Sequence, residues 1–101
     1  MGIIRLLITR ASSLEKMSAE QVANSINDLF VIDGTFLGGG KKTSAVKVGE
    51  KTYNLYLSNN KVSQSIKSVA KGTAVQWIGI LHFHNNELEF EINNTNFLLP
   101  R

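Results

Sequence analysis

From position 87 to 92 the chain reads Glu-Leu-Glu-Phe-Glu-Ile, charged and apolar residues in strict alternation. Successive side chains of a β-strand point to opposite faces, so this pattern predicts a strand with one face in a core and the other in water. The same period of two recurs upstream. In residues 43–48, TSAVKV, Val46 and Val48 share a face with Ser44 while Lys47 points the other way. In residues 52–57, TYNLYL, Tyr53, Leu55 and Leu57 share one face, and Thr52, Asn54 and Tyr56 share the other. Gly49-Glu50-Lys51 between these runs reads as a hairpin turn. A longer hairpin is expected over residues 74–84 and 87–92, turning at Asn85-Asn86. Residues 30–37, FVIDGTFL, are β-branched and aromatic, with Gly34 placed where a strand bends or bulges.

Two helices interrupt the strands. Ser18 with Gln21 three residues later forms a capping box, and Val22, Ile26, Leu29 and Phe30 follow at helical spacing. A second helix is expected over residues 60–70, capped by Asn59 or Asn60, with a stripe of Val62, Ile66 and Val69 and with Gly72 at its C-terminal end. Residues 3–8, IIRLLI, read as a strand buried on both sides, and NFLLP reads as a last short strand stopped by Pro100. From residue 30 onward the order is strand, strand, strand, helix, strand, strand. That is the order of the OB-fold, a five-stranded Greek-key barrel with its helix between the third and fourth strands. The expected fold is therefore mostly β. It is one domain of 101 residues, with residues 1–28 as an N-terminal strand-helix addition and 29–101 as an OB-like barrel. A generic α+β sandwich fits the same order.

The net charge of +3 is unevenly spread. Residues 41–71 hold seven lysines against one acid, Glu50, whereas the flanking segments are net −1 and −2. Such a concentration is the footprint of a polyanion partner, or of a solvated surface. The absence of cysteine excludes a disulfide framework and thiolate metal sites, and fits a cytoplasmic protein. No apolar run is long enough for a membrane span, and Arg5 and Arg10 break the N-terminal run that a secretory signal requires. Leu6 stands where a myristoylation motif needs Ser or Thr.

The segment Gly38-Gly39-Gly40-Lys41-Lys42-Thr43 resembles a phosphate-binding loop at first sight. A Walker A loop requires a glycine five positions before Gly40, where Thr35 stands; it requires Ser or Thr after Lys41, where Lys42 stands; and it must open a helix. All three conditions fail. What remains is a hairpin loop with lysines at its base, suited to close approach by a nucleic-acid strand, or a plain surface turn. His82 and His84 share one strand face, short of the three or four ligands of a usual metal site. The row Glu87, Glu89, Glu91 fits a soluble face, or protection against edge pairing, better than paired catalytic carboxylates. No nucleophile motif accompanies the serines, so no catalysis is expected and no cofactor is implied.

Residues 53–99 are similar to bacterial single-stranded-DNA-binding proteins and their primosomal relative. Lys71-Gly72-Thr73-Ala74-Val75 and Ile78-Gly79-Ile80-Leu81 resemble the turn and fourth strand of that family, and LEFEINNTNFLL resembles its fifth strand. The chain ends without the family's acidic tail. The resemblance thus implies a specialised binder with an accessory replication or recombination role, such as a small protein of a plasmid, phage or other mobile element. The expected function is sequence-tolerant binding of single-stranded nucleic acid, with DNA favoured. Lys41, Lys42, Lys47 and Lys51 would hold phosphates, and Tyr56 with Phe36 or Trp77 would stack bases; Gln76 marks the opposite face of its strand as partly wet, which favours a core position for Trp77, while Phe36 fits either place. A homo-oligomer is compatible with this reading. The competing expectation is a protein–protein adaptor that pairs a partner through the Glu87–Glu91 strand, without nucleic acid.

Overall fold

The computed structural model describes residues 8–39 and 43–99. The strand expected over residues 3–8 lies outside the described residues except for Ile8; the chain enters through a two-residue strand β1 (Thr9–Arg10). A 3-10 turn (Ala11–Lys16) follows that the sequence did not predict, and it buries Ala11 and Leu14 in the same core as the barrel. The next helix, α1 (Ala19–Asn24), opens with the expected capping box: the Gln21 amide donates to Ser18 Oγ at 3.1 Å and the Ser18 amide to Gln21 Oε1 at 2.8 Å. It is short. Asn27 takes a left-handed conformation (φ 75°), and its amide donates to the Leu81 carbonyl at 2.7 Å, which draws the chain into sheet pairing. Leu29 and Phe30 therefore start strand β2 (Leu29–Gly39) instead of ending the helix.

Four further strands complete the sheet: β3 (Thr43–Val48), β4 (Lys51–Leu57), β5 (Ala74–His84) and β6 (Glu87–Ile92). Their hydrogen-bonded order is β2-β3-β4-β6-β5, and β5 pairs back onto β2 to close a barrel, with β1 outside the ring. Within the ring neighbours are antiparallel except β4 and β6, which run parallel; β1 also runs parallel to β2. With helix α2 (Asn60–Ile66) between the third and fourth barrel strands, this is the OB-like architecture. The barrel closes because β2 serves two neighbours: residues 29–35 pair with β5, and from Thr35 onward the strand pairs with β3. Gly34 sits at the changeover. A Cβ there would stand 2.3 Å from the Lys47 carbonyl oxygen, so only glycine permits that approach.

Two boundaries differ from expectation. Helix α2 stops at Ile66, and Gly72 belongs to the turn into β5, where its amide donates to the Phe36 carbonyl at 2.7 Å. The segment read as a last strand is instead a 3-10 turn (Thr95–Phe97), since the Asn94 side chain accepts from the Asn96 amide at 2.8 Å and caps it. The β5–β6 hairpin turns where expected, with Asn85 and Asn86 both at positive φ (52° and 64°), as a two-residue primed turn requires.

Inside the barrel, Phe30 and Tyr53 both meet Phe90 edge to face, and Phe36 meets Trp77 the same way at 5.5 Å. Val46, Val48, Leu55, Leu81 and Ile92 fill the space around them. Among the described residues no helix is long and apolar enough to cross a membrane.

Candidate nucleic-acid interface

Burial follows the alternation of β3 and β4: Ser44, Val46 and Val48, then Tyr53, Leu55 and Leu57, point inward. Their neighbours Thr43, Ala45 and Lys47, with Thr52, Asn54 and Tyr56, face outward. Strand register aligns these outer residues in rows. One row runs Gly38, Ala45, Asn54, Glu89, His82; the next runs Thr43, Tyr56, Glu91, Ile80. All of the first row, with Thr43 and Tyr56 of the second, line an open groove of about 830 Å³ together with Gly39, Ser44 and His84; Glu91 and Ile80 lie beside it. The Tyr56 ring is 39% exposed within it. One end of the groove meets Gly39 and Thr43, which flank the β2–β3 connection; His84, at the other side, precedes the β5–β6 turn. Gly39 fits there because a Cβ would stand 2.5 Å from the Ser44 Cα.

The carboxylates at the groove are not alike. Glu91 accepts a hydrogen bond from the Ser58 hydroxyl, and its other oxygen lies 3.5 Å from His82 Nε2. In this trio the carboxylate sits between serine and imidazole. Ser58 thus has no imidazole to take its proton, unlike the serine–histidine–carboxylate order that builds a nucleophile. Glu89 has no hydrogen-bond or ion-pair partner among the described residues. No three His, Cys, Asp or Glu side chains among the described residues come together to hold a metal ion.

The expected site residues divide. Tyr56 lies in the groove, and Lys47 lies exposed on the same outer face, one strand position beyond Ala45, opposite Thr52 and Thr35. Lys41 and Lys42 lie outside the described residues. Lys51 stands at the start of β4 and lines a largely apolar groove with Leu14, Met17, Tyr53 and Leu88 and a smaller depression with Thr52, Asn54 and Glu87; neither contains Tyr56. For Phe36 and Trp77 the stacking role is corrected and the core position holds. At 3% and 5% exposure, packed edge to face on each other, neither offers a ring face to a base. Their strands' inward positions go to the largest rings because the barrel interior must be filled. The Glu87–Glu91 strand is not a free edge: β6 pairs with β5 along residues 87–91 and with β4 along residues 89–92, which closes the backbone route proposed for an adaptor.

Alternation places the Asn54 amide on the face of Tyr56, as found, but marks Glu89 only as part of a soluble row and not as a groove residue. The expected site also leaves out Lys67 and Lys71. Lys67 lines a shallow depression behind Gly38 and Gly39 with Leu57 and Ser63, and Lys71 lies beside Gly38, its Cβ 3.9 Å from where a side chain there would begin. Gly38 and Gly39 line both that depression and the groove, which makes these two lysines neighbours of the groove.

Comparison with protein-family models, curated proteins and solved structures returned no match in any of the three.

Proposed function

We propose that this chain is a non-catalytic binder of single-stranded nucleic acid, with DNA favoured, serving an accessory role in replication or recombination. The observation that carries this reading is the exposed Tyr56 ring in a groove on the outer face of β3 and β4, between the two connections at the groove's ends. OB barrels receive oligonucleotides on that face and between those loops. Lys47 on the same face supplies a phosphate contact, and the lysine-rich stretch from residue 41 to 71 supplies attraction at longer range. The reading calls on no cofactor.

Fluorescence anisotropy with a labelled oligo-dT at low salt tests it. Binding in the nanomolar to micromolar range is expected, and an unchanged anisotropy at every protein concentration overturns the proposal. Loss of the ring in Tyr56→Ala removes base stacking of about 1–3 kcal/mol, a roughly 5- to 150-fold weaker affinity, with the thermal melt unchanged. An adaptor without nucleic acid would instead purify with a protein-like 260/280 nm absorbance ratio and show no oligonucleotide binding.

A further inference from the structure

The groove floor carries more than a stacking ring. Glu89 stands between Asn54 on β4 and His82 on β5, its carboxylate without a partner among the described residues and one row from Tyr56. A carboxylate repels phosphate at short range, so a bound strand keeps its backbone away from Glu89 and on the Lys47 side. That orientation leaves the base edges, rather than the sugar-phosphate chain, to meet Glu89.

An ionised carboxylate only accepts hydrogen bonds. The amino groups of cytosine (N4) and adenine (N6) are donors, whereas thymine presents the O4 acceptor at the corresponding place. A thymine lying on Tyr56 with that edge toward Glu89 sets its O4 acceptor against the carboxylate and offers only the N3–H as a donor, a poorer match than an amino group at the O4 position. Asn54, which both donates and accepts, adapts to either edge and does not discriminate.

We infer that Glu89 makes this groove selective, favouring cytosine and adenine, whose amino group stands where thymine and uracil carry O4, over those two bases. The inference rests on the nucleic-acid reading above, and it narrows sequence tolerance to a preference among base classes.

The test compares oligo-dC, oligo-dA and oligo-dT of equal length by anisotropy at neutral pH and low salt, with the unaltered chain and with Glu89→Gln. In the unaltered chain dC and dA bind about five- to tenfold more tightly than dT. A glutamine amide donates as well as accepts, so Glu89→Gln brings the dC:dT ratio close to unity. Removing the negative charge strengthens binding of every oligonucleotide alike, and this common change cancels in the ratio. Equal affinity of the unaltered chain for dC and dT, tighter dT binding, or a ratio unmoved by Glu89→Gln overturns the base-reading role while leaving nucleic-acid binding intact. Absence of binding to all three oligonucleotides overturns the parent proposal instead.

Discussion

Tyr53 and Tyr56 lie on one strand with opposite fates, because an odd spacing along β4 sends one ring into the barrel and the other into the groove. The buried one has a consequence for stability. Burial, with a smaller contribution from the nearby Glu15 carboxylate, raises the Tyr53 pKa above its ordinary value. At alkaline pH the unfolded chain therefore releases this proton before the folded one does. The unfolded state then binds fewer protons, so stability is complete below about pH 10, the ordinary tyrosine value, and falls as pH rises through the folded value. Urea midpoints measured from neutral to strongly alkaline pH should decline more steeply for the unaltered chain than for Tyr53→Phe, which has no phenolic proton to lose. Parallel curves for the two proteins would exclude Tyr53 as the source. Tyr56, exposed and on the other face, is read as a binding residue by that same parity, and its replacement tests the groove without touching the core.

At the scale of elements, the strands were legible where one face is wet and the other dry. Residues 43–48, 74–84 and 87–92 form strands with those bounds because alternation fixes a strand and its facing together. The helices were legible at their starts and not at their ends. Ser18 and Asn59 cap through local hydrogen bonds that sequence spacing reveals, but where each helix stops depends on partners far along the chain, such as the Leu81 carbonyl that takes the Asn27 amide. Alternation with Gln76 favours the core for Trp77, as found, but leaves Phe36 open, since only barrel closure decides which side of its strand is inside. Gly34 was legible as a bend, and its reason is now a contact: the Lys47 carbonyl occupies the space of a side chain. Gly34→Ala must push β2 from β3 at the point where β2 changes partners. We expect a loss of about 1–3 kcal/mol in urea unfolding, as for other over-packed sites. An unchanged urea midpoint would mean that the two strands separate there without cost.

For the molecule as a whole, the net charge conceals a division of surfaces. Glu89 and two histidines line the groove on β6 and β5, Lys47 stands on the outer face of β3, and Lys51 lines two other depressions, neither of which contains Tyr56. A general positive field would treat every lysine as equivalent, whereas a defined phosphate path would not. The difference is measurable in salt. Each phosphate contact on a single strand contributes about 0.7 to the slope of log affinity against log salt concentration. Lys47→Gln should weaken binding to all oligonucleotides about equally and reduce that slope by roughly one contact's share. Lys51→Gln, outside the Tyr56 groove, should leave the slope as it is while changing the net charge by the same amount. Matching slopes for the two variants would mean that the lysines act as a diffuse cloud, and the strand would then have no fixed course across β3 and β4.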